Sequence, residues 1–190
     1  MPRAGLSRPV VVAGAACLAD EIGWQNLTLA ALANRLGVKL PSLYKHIDSL
    51  EGLRIDIGAL ALRELGSELR TAAVGKAGRD ALSAIASAYR AYAHAHPGRY
   101  AAGALAAPSG DGDARVPPAQ SILRTIFAVL EGYGLRGDDA VHATRVLRSC
   151  IHGFVALEGA GGFGMPQDVD ASFGHLVQAL HESLSRWGAP

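Results

Sequence analysis

The chain has 190 residues, 49% of them hydrophobic and 18% charged, with a net charge of +1. That is long enough to bury a core and far too apolar for an intrinsically disordered protein. Mean hydropathy is +0.18, yet the longest apolar run, Val10–Ala19, falls well short of the ~20 residues that span a bilayer, and Asp20-Glu21 at its end is unlike a signal-peptide cleavage site.

Much of the hydrophobicity is small: 35 Ala and 23 Gly. Ala is the best helix former, so the composition points to helices packed closely through small side chains. Cys17 and Cys150 fit no metal or disulfide spacing and read as small hydrophobes of a reducing cytosol.

Strand signals are missing, and the elements read as helices throughout. The first runs from about Arg8 to Ile22, with Pro9 in its first turn and Gly23 as its stop. Thr28 is placed to cap a short helix, Leu29–Leu36, which Gly37 ends. A third helix is expected over about Leu40–His46, and Asp48 or Ser49 opens a longer fourth one carrying Leu50, Leu53, Ile57, Leu60 and Leu65. A soft break at Val74–Gly78 precedes a helix from about Arg79 to His96, stopped by Pro97-Gly98. A short stretch, Arg99–Ala106, leads into the most loop-like segment, Ala107–Asp113. Three further helices follow over Pro117–Tyr133, Asp138–Gly159 and Asp170–Trp187. The chain is therefore expected to be all-α with about nine helices. Its predicted organisation is a helix-turn-helix domain (residues 1–47), a connecting fourth helix (48–75) and a helical bundle (76–190).

The most specific pattern is Leu27–His46. A capped helix ends at Gly37, Val38 tucks beneath it, and a second helix leaves at a steep angle. Leu43 and Ile47 are spaced i,i+4 toward a core, which leaves Lys39, Leu40, Ser42, Tyr44, Lys45 and His46 outward. Lysines reach phosphates or guanine edges, Ser42 can bond bases or phosphates, and Tyr44 can bond a phosphate. The bland reading is an ordinary helix corner with a solvated polar face. Charge favours DNA: residues 1–47 hold Arg3, Arg8, Arg35, Lys39 and Lys45 against Asp20 and Glu21, a net +3, so the remainder is −2.

The run Ala31–Ile47, with Leu36-Gly-Val38 followed by Leu43-Tyr-Lys-His-Ile47, resembles the DNA-binding domain of the TetR family of transcriptional regulators, over about residues 8–60. The resemblance implies a homodimer of all-helical subunits. Three N-terminal helices would read a palindromic double-stranded operator, and the C-terminal bundle would dimerise and enclose a small-molecule inducer. Carried over position by position, the DNA contacts would come from Leu40, Pro41, Ser42, Tyr44, Lys45 and His46, supported by Thr28. Where the family commonly has Ser-Lys at the start of the fourth helix, this chain has Ser49-Leu50, so binding is expected to be weaker, or to be compensated by Lys39, Lys45 or an arm bearing Arg3 and Arg8. The run Leu147–Glu158 resembles, more loosely, a branch of the family with a Trp-His-Gly signature, Ile151 standing where that branch often has Trp.

Other features have competing readings. Gly159–Gly164 fits a dinucleotide fingerprint literally, but a helix precedes it and Met165-Pro166 follows, so the glycines are expected to end a helix. His94 and His96 are i,i+2 on a helix and diverge, which suits a helix C-terminus better than a metal. His152 lies on an apolar helix and reads more readily as a hydrogen-bonded core histidine than as a ligand contact.

The expected inducer pocket is lined by Tyr89, Tyr92, His96, Tyr100, Phe127 and His152. Apolar stripes on the last two helices, Leu147, Ile151 and Phe154 on one, Phe173, Leu176, Leu180 and Leu184 on the other, suit either core or an isologous four-helix dimer interface, and the resemblance favours the interface. No nucleophile constellation is visible, so no enzyme, metal or cofactor is expected. The predicted function is a cytoplasmic, ligand-responsive DNA-binding regulator, most often a repressor in the resembled family. The alternative is a helical small-molecule or metal-sensing protein whose helix-turn-helix does not read DNA.

Overall fold

Nine α-helices and one 3-10 turn form the regular structure, with no strand among the described residues. The structure is a computed structural model and describes residues 5–104, 108, 110 and 112–187. The helices are α1 (Arg8–Ile22), α2 (Leu29–Leu36), α3 (Leu40–Leu43), α4 (Leu50–Ala73) and α5 (Gly78–Ala95). They are followed by α6 (Pro97–Ala104), α7 (Val116–Glu131), α8 (Gly137–Gly159) and α9 (Val169–Ser185). The all-helical architecture of the described residues is thus as the composition and periodicity indicate.

Local chemistry explains the boundaries. Gly23 takes φ 86° and its N–H returns to the Ala19 carbonyl at 3.0 Å, ending α1. The 3-10 turn Trp24–Asn26 that follows was not anticipated; Asn26 Nδ2 donates to the Ile22 carbonyl at 2.7 Å and closes the end of α1. At α2, the Thr28 hydroxyl oxygen accepts from the Ala31 N–H at 3.1 Å. Gly37 then adopts the left-handed conformation, with Gly37 N–H to Asn34 O and Val38 N–H to Ala33 O, the paired closure typical of helix ends. Ser49 opens α4, accepting from the Gly52 N–H at 3.0 Å.

Several boundaries differ from expectation: α7 stops at Glu131 and α9 at Ser185, each two residues early, and two further differences have a clear local cause. Helix α3 stops at Leu43, and Tyr44–His46 form a turn rather than a continuing helix. The His46 N–H bonds Leu43 O, an i→i−3 tightening common at short helix ends. Pro97, read as a stop, is also the first residue of α6, where its missing N–H costs nothing. The expected end of that helix at Ala106 lies outside the described residues.

The chain divides into two compact units: residues up to Glu64 with Ala95–Ala119, and Leu65–His94 with residues from Gln120 onward. The cut falls within α4, and α6 groups with the N-terminal helices. The first unit's core gathers Leu27, Leu32, Leu43, Leu53 and Ile57, all essentially without solvent contact. Each such side chain stabilises the fold by ~1.5–3 kcal/mol. The second unit buries Leu82, Ile85, Leu130, Leu147, Leu180 and Leu184. No described helix is long and apolar enough to cross a membrane.

Candidate functional site

The α2–turn–α3 segment is anchored from below and polar above. Leu43 is 0% and Ile47 2% exposed, fixing one side of the short helix in the core. Leu40 and Tyr44 are 38% and 53% exposed, large apolar groups that a folded chain does not usually leave in water together. Pro41, Lys39 and Lys45 are exposed, and Ser42 and His46 are half-buried. Thr28 is exposed, but its hydroxyl oxygen is engaged in the α2 cap. The residues expected to meet DNA therefore gather on α3, its flanking turns and the start of α2.

The cations of this region divide into engaged and free. Arg8 is held by Asp56, with Nε donating at 2.9 Å and Nη2 at 2.8 Å, so it forms no mobile arm. Arg3 lies outside the described residues. Arg35 grips Glu21 with both Nη atoms, and that pairing pulls the Glu21 carboxyl below its usual range. Lys39 and Lys45 are exposed and make no ion pair with another described residue. Leu50, the departure from the Ser-Lys pattern, packs against the core of the first unit.

The six residues expected to line an inducer pocket do not fall in one unit. His96 and Tyr100 belong to the first, where His96 Nδ1 lies 3.4 Å from Asp20. Tyr89, Tyr92, Phe127 and His152 belong to the second. Of these Tyr92 is buried, Tyr89 and His152 are half-buried, and Phe127 is 37% exposed. Burial, followed by the nearby Arg148 charge, lowers the His152 pKa, so its neutral form is favoured. His94 has a different partner from His96, with Nε2 2.8 Å from Glu158.

Of the seven residues expected at a dimer interface, Leu147, Ile151, Phe173, Leu180 and Leu184 are buried within the subunit itself. Phe154 and Leu176 are half-buried. The outward-facing side chains of α8 and α9 are others: Val146 and Leu157 at 37% and 54% exposure, with Ser149, His175 and Ala179. The glycine run after α8 ends the helix, with Gly161 N–H to Glu158 O and Gly162 N–H to Leu157 O at 2.8 Å.

Two constellations carried no sequence signal. In the first unit, Gly98 lets α6 lie against α1, and Arg99 beside it bonds Asp20 and Glu64. In the second, Arg90 on α5 binds Glu158 of α8 and Asp170 of α9. Such partners lie 35 to 80 residues apart in sequence, beyond the reach of periodicity, although a lone Arg amid Ala-rich helix hints that it has one.

Residues 82–180 match the family described as tetracyclin repressor-like, C-terminal domain. The chain is 40% identical over 183 residues to the HTH-type transcriptional regulator Rv0681 of Mycobacterium tuberculosis, covering 96% of this chain and 84% of that one. The chain belongs to the TetR family of transcriptional regulators. A second relative, the HTH-type transcriptional regulator YobS of Bacillus subtilis, is 30% identical over 183 residues, covering 96% of this chain and 95% of that protein. Among solved structures, a TetR variant from Acinetobacter baumannii in complex with minocycline superposes with TM-score 0.72 and 25% identity, covering 96% of this chain and 98% of that one. The TetR-type C-terminal match begins in α5 and ends in α9, and it includes the Leu147–Glu158 run despite Ile151.

Proposed function

We propose that this TetR-family regulator binds a palindromic operator as a homodimer and releases it when a small molecule occupies its C-terminal bundle. The observation that carries the DNA reading is the pairing of buried Leu43 and Ile47 with exposed Leu40, Tyr44, Lys39 and Lys45. The core residues fix the reading element, and the outward ones offer a phosphate-bonding phenol, two free cations and an apolar side chain for a thymine methyl. The two reading elements of a dimer must meet major grooves about 34–36 Å apart.

Dimerisation is assigned to the outer faces of α8 and α9, because the inner stripes are occupied within the subunit. Gly153 on α8 supports this: a Cβ there would have nothing within 4 Å inside the subunit. A glycine in mid-helix costs about 1 kcal/mol relative to Ala, so a close approach from outside gives it a purpose. For release, α4, whose residues are shared between the two units, is the element that would connect effector binding to the reading head. An effector shifts the equilibrium only by its differential affinity for the two arrangements.

The test is selection of bound duplexes from a random DNA pool with the full-length chain, at ~50 mM and ~200 mM salt. A palindrome should be enriched at both, and Tyr44→Ala should weaken binding to it by about a hundredfold, the scale of two lost charge-assisted contacts, one per subunit. Recovery of unenriched DNA at low salt alone would remove the operator reading.

A further inference from the structure

A groove of ≈ 330 Å³ runs along the second unit between α5 and α9. That volume is at the lower end for small-molecule sites. Its α5 side carries Arg79, Ser83, Ser87 and Arg90, and its α9 side Asp170, Gly174 and Gln178, with Phe173 and Val177 as apolar floor. The site shares none of the residues expected to line an inducer chamber.

Arg90 is built to hold carboxylates. Its Nε donates to Glu158 Oε2 at 2.8 Å and its Nη2 to Glu158 Oε1, a two-point grip. The ring centroids of Phe173 and Phe154 lie 4.8 and 5.8 Å from the guanidinium carbon, which holds its plane in place. The same Nη2 also donates to Asp170 Oδ1 at 2.7 Å.

The two carboxylates differ in one respect that matters. The Glu158 side chain is 15% exposed, like that of Arg90 at 16%, whereas that of Asp170 is 80% exposed. An ion pair with so exposed a partner contributes little, because solvent screens it. Glu158 is the permanent partner and Asp170 the replaceable one.

Gln178 adds a second recognition point. Its Nε2 donates to Glu182 at 2.8 Å, which fixes the amide's orientation, while its buried Oε1 has no hydrogen-bond partner. A buried acceptor of this kind is stabilised by meeting a donor. Gly174, between Asp170 and Gln178 on the same side of α9, leaves the space above the helix backbone open: a Cβ there meets nothing within 4 Å.

We propose that the α5–α9 groove binds a small organic monocarboxylate with an apolar body and an N–H or O–H donor, the carboxylate taking the place of Asp170 on Arg90. The apolar body lies over Phe173 and Val177, and the donor satisfies Gln178 Oε1. Asp170 then acts as a built-in competitor.

The test is calorimetric titration of the full-length protein at neutral pH with N-acetylphenylalanine, which has all three features, and with its neutral amide. The acid should bind saturably and the amide at least about tenfold more weakly, as expected for loss of one charge-assisted contact. Asp170→Asn should tighten acid binding several-fold, because it removes the competitor. Gly174→Phe fills the groove at a position with room for a side chain and favours helix, so the protein should fold and lose the binding. The proposal is overturned if wild type and Asp170→Asn both leave the acid unbound, if the amide binds equally well, or if Gly174→Phe binds as wild type does.

Discussion

Gly98 sets the closest approach between two helices in the first unit. A Cβ at this position would lie 2.2 Å from the carbonyl carbon and oxygen of Ala19 and 2.5 Å from the Asp20 nitrogen, all backbone atoms that cannot swing aside. Asp20 then accepts from the Arg99 N–H at 2.9 Å, and the Arg99 guanidinium reaches the Cys17 sulfur at 3.0 Å. Gly98→Ala is therefore expected to destabilise the protein by about 2–3 kcal/mol, the scale of overpacking against atoms that do not yield. Urea unfolding measures this, and a loss below about 0.5 kcal/mol would mean the two helices separate freely. In the sequence, Pro97-Gly98 is legible only as punctuation. That the glycine serves a contact depends on Ala19, 79 residues earlier, and nothing local encodes it.

At the scale of elements, the boundaries set by local chemistry were legible and the partners were not. Thr28 and Gly37 act within four residues of themselves, so their capping roles follow from residue type and position, whereas between Asp48 and Ser49 it is the structure that selects Ser49. The end of α3 at Leu43 was missed because tightening to i→i−3 bonding leaves no mark on hydrophobic spacing. The stripes of α8 and α9 were visible as stripes, but periodicity does not say whether a stripe faces its own subunit or a second one. Burial assigns Leu180 to the subunit at 5% exposure, and leaves Val146 outward at 37%. The two positions therefore make opposite predictions. Leu180→Ala should cost about 2–5 kcal/mol of stability through the cavity it opens. Val146→Glu should leave the subunit folded and shift it from dimer to monomer, since it sets an unpaired charge into the proposed interface. Sedimentation at micromolar concentration distinguishes them, and a Val146→Glu protein that remains a dimer would move the interface elsewhere.

For the molecule as a whole, the net charge of +1 conceals a polarised chain whose N-terminal 47 residues carry +3. Pairing reduces the useful part of that charge further. Arg8 is committed to Asp56 and Arg35 to Glu21, and among the described cations of this segment Lys39 and Lys45 are left for phosphate. A dimer then presents about four unpaired lysines to DNA. Each phosphate neutralised contributes about −0.9 to the slope of log K against log salt, so the operator complex should show a slope of about −3.6. Lys45→Gln removes two charges per dimer and should reduce the magnitude of that slope by about 1.8. Arg35→Gln, in contrast, should leave it unchanged, because a guanidinium held by Glu21 releases no counterion from DNA. Binding isotherms at four or five salt concentrations separate these variants. A steeper wild-type slope, or an equal effect of Arg35→Gln, would mean that Arg35 leaves Glu21 when DNA is bound. In the proposed complex, with so few free cations, affinity is expected to depend on two reading heads held at a fixed spacing, so that an effector altering the spacing would release the operator.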